Sequence, residues 1–201
     1  TFFTTFEWSG ALNGLPAWAK ILNGLFMSAT ARTAGFNAID YGMATDRSNF
    51  LTILLMFVGG SPGSTAGGMK VVRVLVAGKL VRREFSKMAH PRAYAPVRLN
   101  GRILSNESVA GITSFIALHL MVFLAGVLLI SIENNLVISI SSVAATLNNV
   151  GPGFGLFGPT DHYADFSDGA KVVFTTLMLL GRLELFTIAA LLAPRRWLDQ
   201  S

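Results

Sequence analysis

The sequence predicts an all-α integral membrane protein built from units of helix, re-entrant loop and helix. Three observations carry the prediction: a shortage of charge, apolar segments of two distinct lengths, and an internal repeat. Apolar residues make up 52% of the 201 and charged residues only 13%, about half the roughly 25% of a soluble domain. The mean hydropathy of +0.54 points the same way, towards a bilayer.

A hydrocarbon core of about 30 Å needs roughly 20 apolar helical residues. Residues 108–132 meet that requirement without a formal charge, and residues 169–193 form a second span interrupted by Arg182 and Glu184. Residues 48–58 are apolar but short, and they run into Gly59-Gly60-Ser61-Pro62-Gly63-Ser64-Thr65-Ala66-Gly67-Gly68 before a helical pattern resumes at Met69. We read 48–80 as one membrane element broken at 59–68. Leu15–Thr30, opened by Pro16 near a helix start, and Leu136–Leu147 are too short to cross. Both lead into glycine-containing stretches. Irregular backbone at membrane depth is tolerated only where it lines protein or water, which is the re-entrant pattern.

The two short segments align without a gap. Ala29-Thr30-Ala31-Arg32-Thr33-Ala34-Gly35 matches Ala145-Thr146-Leu147-Asn148-Asn149-Val150-Gly151 at an offset of 116, with identities at Ala29/Ala145, Thr30/Thr146 and Gly35/Gly151. The surrounding order, short helix, glycine loop, polar stretch and long apolar helix, also recurs, as expected of a repeat.

The net charge of +5 is not a surface property. Residues 70–102 hold nine of the 16 basic residues and one acid, Glu84, leaving the rest of the chain at −3. Under the positive-inside rule the 81–104 connection and Arg195-Arg196 face the cytoplasm. Residues 133–170, with Glu133, Asp161, Asp165 and Asp168 and no Lys or Arg, then face outward. A basic patch confined to one connection gives no support to nucleic-acid binding. The absence of cysteine excludes disulfides, thiolate metal sites and a cysteine nucleophile. Thr1-Phe2-Phe3-Thr4-Thr5 has neither an initiating Met nor a basic start, so the chain reads as beginning inside a longer protein.

Thr33-Ala34-Gly35-Phe36 and Asn149-Val150-Gly151-Pro152 are the candidate ion-binding residues. A potassium filter replaces the ion's water shell with backbone carbonyls. Aiming successive carbonyls at one axis needs conformations that a β-carbon resists and glycine permits. A short helix ending at each loop adds the partial negative charge of its carbonyl end. In the 59–68 break, five glycines in ten residues lower helix propensity, and Ser61, Ser64 and Thr65 offer hydroxyls. A phosphate-binding P-loop is the competing motif; Gly63 and Gly68 fit its spacing, but Met69 stands where the lysine belongs.

These motifs, together with Ala31-Arg32-Thr33-Ala34-Gly35-Phe36-Asn37, Gly59 to Lys70 and Leu180-Gly181-Arg182-Leu183-Glu184, resemble the Trk/Ktr/HKT superfamily of potassium transporters, most closely its bacterial TrkH/TrkG branch. The resemblance spans about residues 20–196. It implies a pseudo-fourfold pore with two of four helix–pore-loop–helix repeats in this chain. Residues 1–80 would be the third repeat, with filter 33–37 and a broken second helix at 48–80, and 81–104 a cytoplasmic connection. Residues 105–201 would be the fourth repeat, with helix 108–132, pore helix 136–147, filter 149–153 and helix 169–193. Gly35 and Gly151 would occupy filter-glycine positions, which go with K⁺ preference. Gly60, Ser61, Gly63, Ser64, Thr65, Gly67, Gly68 and Lys70 would form an intramembrane gating loop, and Arg182 would face the pore beside it as a barrier to cations.

The resemblance further implies K⁺ as transported ion with no cofactor, and an N-terminal half supplying two more repeats. It also implies a homodimer, cytosolic nucleotide-binding regulatory subunits and a bacterial inner membrane. No paired carboxylates, metal-ligand spacing or Ser/His/Asp arrangement suggests an enzyme. The rival reading is a non-conducting membrane scaffold whose glycines permit close helix packing. A charge at the bilayer centre costs roughly 2.5–3.5 kcal/mol on insertion scales, so Arg182 needs a partner or water. It cannot pair with Glu184 two residues on, which lies on another helix face; Lys70 is a candidate partner for Glu184. His119 reads as an interhelical hydrogen-bonder, and Trp8, Trp18 and Trp197 as interface anchors.

Overall fold

The computed structural model describes residues 2–64, 66–90, 96–154, 158 and 162–183. Thr65, Asp161, Glu184, Arg195, Arg196 and Trp197, named above, lie outside the described residues. Seven helices are described: α1 (Phe2–Phe6), α2 (Ala17–Thr30), α3 (Asp46–Phe57), α4 (Val71–Ala89), α5 (Asn106–Ile130), α6 (Leu136–Leu147) and α7 (Asp168–Arg182). The order helix, irregular segment, helix occurs twice, in α2–α3 and in α6–α7. Only α7 is longer than the helix before it, at 15 residues against 12; α3 has 12 against 14 in α2, because the 59–68 break ends it early.

Local chemistry accounts for the boundaries. Pro16 sits at the N-cap of α2 with φ of −65°, the angle its ring imposes. Asn135, Ser105 and Ser167 cap α6, α5 and α7, each accepting a backbone N–H at 3.1–3.2 Å, as N-cap side chains do. The described part of the 169–193 span ends at Leu183. Among the described residues, α5 alone is long and apolar enough to cross a bilayer, and only 22% of its most apolar stretch is buried within the chain. Most of its apolar surface is thus turned away from the described core.

The core is organised around α6, which packs against α5, α7 and α3. Ser139 and every residue from Ser141 to Leu147 are buried. Val143 and Leu147 join Val127, Ile130, Phe166, Phe174 and Leu177 in one apolar cluster. Ala144 and Ala145 join Phe3, Met27, Met56, Val150 and Phe154 in the other. The buried hydroxyls of Ser139, Ser142 and Thr146 donate back to carbonyls four residues earlier, at 2.7–3.0 Å, so a helix buried on all sides leaves none of these groups unpaired.

The 81–104 connection is more ordered than a simple linker. α4 continues past residue 80 to Ala89 through good helix formers, with Glu84 and Lys87 paired at 3.8 Å. A two-stranded hairpin follows, β1 (Arg98–Leu99) and β2 (Arg102–Ile103). Asn100 and Gly101 turn it at φ of 48° and 80°, the left-handed pair that such a turn demands.

Candidate ion-pathway site

The two glycine loops have the same backbone pattern at matching positions. Thr33 and Gly35 have φ of 67° and 75°, and Asn149 and Gly151 have φ of 55° and 117°, whereas Ala34 and Val150 between them stay negative. The N–H groups turn back to the helix that delivers each loop. Ala34 and Gly35 donate to Thr30 O at 3.2 and 3.1 Å, and Val150 and Gly151 to Ala145 O at 2.8 and 3.4 Å. In a trans peptide the carbonyl points opposite its N–H. The carbonyls of Thr33, Ala34, Asn149 and Val150 therefore point away from α2 and α6. The loops also meet: a β-carbon on Gly35 would collide with the Val150 carbonyl oxygen.

The next carbonyls are held by side chains. Gly35 O accepts from Asn37 Nδ2 at 3.3 Å, Phe36 O from the Thr30 hydroxyl, and Gly151 O from the Tyr163 hydroxyl at 2.9 Å. From the sequence, Thr30 and Tyr163 carry no site role, and Asn37 enters only as the end of the 33–37 stretch. Thr30 was visible only as a repeat identity, and its counterpart Thr146 spends its hydroxyl inside α6. Tyr163 stacks on Phe166 at 5.6 Å and meets Phe174 edge-on at 5.4 Å. Burial pushes its phenol up to about 12.

The 59–68 loop is pinned at its neck. Gly59 N donates to Met69 O at 2.8 Å and Val71 N to Gly60 O at 3.1 Å. Lys70 Nζ reaches back to two loop carbonyls, Ser64 O and Ala66 O, both at 2.7 Å. Ser61, Gly63 and Ser64 are exposed at the tip, while Gly67 and Gly68 are buried. A β-carbon on Gly67 would lie 2.8 Å from Asn148 O, so the loop's base lies against the foot of the 149–152 segment.

A family model described as TrkH, cation transport protein, matches residues 2–197. The chain belongs to the TrkH family. Within it, the Trk system potassium uptake protein TrkH of Vibrio parahaemolyticus serotype O3:K6 is 40% identical over 169 residues, 82% of this chain and 34% of that protein. The Trk system potassium uptake protein TrkG of Escherichia coli K12 is 29% identical over 180 residues, 89% of this chain and 37% of that one. The crystal structure of the potassium transporter TrkH from Vibrio parahaemolyticus superposes with a TM-score of 0.85 at 34% identity, over 98% of this chain and 42% of that chain. The chain thus spans about a third of the length of the curated relatives it matches.

In this TrkH-family chain Arg182 is the last residue of α7 and is exposed. Its neighbour Gly181 is pressed against the foot of the second loop, where a β-carbon would stand 2.6 Å from Asn149 Nδ2. α7 and the 59–68 loop thus both approach Asn149. Trp8 and Trp18 are exposed, at 44% and 70%, and Lys20 donates to Trp8 O at 2.6 Å. Just past the C-terminal end of α1, burial pushes the Glu7 carboxyl up. Hydrogen bonds from Ser48, Thr45 and Ala11 outweigh that push and hold it below the ordinary carboxylate range.

Proposed function

We propose that this chain carries two of four walls of a potassium pathway through a bacterial inner membrane, and serves in potassium uptake. The Thr33–Phe36 and Asn149–Pro152 segments are the two filter walls. The carbonyls of Thr33, Ala34, Asn149 and Val150 take the place of the ion's water. Those of Gly35, Phe36 and Gly151 are held in place by side-chain donors. The observation that supports this reading most directly is the matched left-handed backbone at 33/35 and 149/151, with Gly35 seated on the Val150 carbonyl. A scaffold using glycine only for close packing has no need of left-handed backbone at Thr33, where a β-branched side chain strains it.

Below the filter the 59–68 loop acts as gate: its tip obstructs the path, Lys70 holds it closed through the Ser64 and Ala66 carbonyls, and Arg182 repels cations beside it. Thr65 belongs to the same loop by its place in the sequence. The remaining two walls come from a further two repeats, in the N-terminal half of the same protein. The working form is a homodimer carrying cytosolic nucleotide-binding subunits on the face bearing the 81–104 connection. No cofactor takes part; K⁺ is cargo.

The test is rubidium uptake by the full-length protein. Gly35→Ser and Gly151→Ala should each lower uptake and the preference for rubidium over sodium while leaving membrane expression unchanged. Uptake equal to wild type in both would leave the scaffold reading in possession.

A further inference from the structure

His119, in the middle of α5, is 1% exposed and belongs to neither loop. Its Nε2 lies 3.2 Å from Oδ1 of Asn148, which is fully buried. The orientation of that amide is set by its other end. Asn148 Nδ2 donates to Ala144 O at 2.9 Å, which turns Oδ1 towards the ring. An amide oxygen only accepts, so Nε2 carries the proton.

The same ring meets one flank of the 59–68 loop directly and the other through Phe115. Phe57, the last residue of α3, meets it edge-on with centroids 6.0 Å apart. Phe115 stacks on it at 5.9 Å, and the Arg73 guanidinium, in the first turn of α4, lies 3.8 Å over the Phe115 ring. Asn148 touches the loop's base as well, since a β-carbon on Gly68 would stand 2.9 Å from its Oδ1. One imidazole thus lies against the helix entering the loop and the residue that precedes Asn149, and reaches the helix leaving the loop through the Phe115 ring.

We propose that His119 is a positioning residue that couples the 59–68 loop to the Asn149–Pro152 segment. Displacement of the loop moves Phe57 and Arg73, the ring follows, and the hydrogen bond carries the shift to Asn148 and so to the carbonyls of Asn149 and Val150. The inference rests on the proposed roles of these segments as gate and filter. Histidine supplies what the junction needs: flat faces for stacking and a donor at the ring's edge.

The experiment uses the full-length protein in liposomes, with rubidium uptake measured with and without competing sodium. Gly63→Ala perturbs the loop alone, because its φ is 79° with open space around it. In a wild-type background it should change the rubidium-to-sodium preference about tenfold, the scale at which a lost or strained buried hydrogen bond is felt. His119→Leu should abolish that change. His119→Gln, which keeps a donor near the Nε2 position, should preserve most of it. If His119→Leu does not yield folded protein, Asn148→Ala breaks the same bond from the other side. An equal Gly63→Ala effect in wild type and His119→Leu overturns the coupling, as does no effect in wild type. Equal loss in the Leu and Gln variants overturns the hydrogen-bond route. A wild-type protein that takes up no rubidium overturns the transport reading itself.

Discussion

The Tyr163 hydroxyl donates to the Gly151 carbonyl at 2.9 Å, so the second loop is tied to the segment that leads into α7. An aromatic stack with Phe166 and Phe174 holds the phenol in place. Tyr163→Phe removes the donor and keeps the ring. It should cost about 1 kcal/mol of stability and lower the rubidium-to-sodium preference, read by thermal unfolding and by competition uptake. The phenol's value, raised from 10.0 to about 12, adds a pH signature. Because burial holds the phenol neutral, stability from this site should be complete below about pH 10 and fall as pH climbs towards 12. Tyr163→Phe should lack that alkaline loss.

Gly35 has no room for a side chain. Gly35→Ala meets the Val150 carbonyl and must also hold φ of 75°, which costs about 1–3 kcal/mol in a non-glycine residue. The expected outcome is folded protein in the membrane with uptake near background. Ala34→Gly, one residue away at negative φ, should retain uptake.

Lys70 closes the 59–68 loop through two carbonyls. Lys70→Met keeps the aliphatic stem and removes both bonds. Charge-assisted bonds are worth about 1.5–3 kcal/mol each when buried but well under that at a solvent-exposed tip such as this one, so basal rubidium flux should rise by on the order of tenfold. Flux measured without any regulatory ligand checks it; unchanged flux would place the closed state's hold elsewhere.

Glu7 is fully buried and accepts from Thr45 N at 2.8 Å, Thr45 Oγ1 at 2.6 Å and Ala11 N at 3.1 Å, and from the Ser48 hydroxyl. Because its folded value is depressed, its contribution is present above the unfolded value of about 4.3. That contribution is lost as pH falls through the lower folded value. Glu7→Gln should lower the unfolding temperature at neutral pH, by about 2 kcal/mol in free energy. The gap from wild type should narrow below pH 4.

The elements were legible where their causes are local. Leu136–Leu147 carries its cap at Asn135 and its apolar run in twelve consecutive residues, and the helix forms between those limits. Pro16 marks the start of α2, and the glycines of 59–68 interrupt the 48–80 element where helix propensity collapses. α4 passed its expected end because nothing in Val81–Ala89 breaks a helix; the expectation there followed hydrophobicity, which says where a membrane ends and not where a helix does. The Asn100-Gly101 turn signal was present in the sequence and marks the hairpin.

The sequence by itself thus determined the helical segments, the two glycine loops, their correspondence at an offset of 116 and the membrane character, all of them properties of neighbours along the chain. Only the tertiary structure decided which groups serve the loops. Nothing near Gly35 announces Val150, nothing near Gly151 announces Tyr163, and His119 reads as one polar residue in an apolar helix until α5, α6 and the 59–68 loop pack around Asn148. Such contacts depend on how helices distant in sequence approach one another, and a side chain's partner is fixed by that approach. The few charges that first marked this chain as a membrane protein include two, Lys70 and Arg73, whose partners the fold alone reveals: a pair of loop carbonyls and the ring of Phe115.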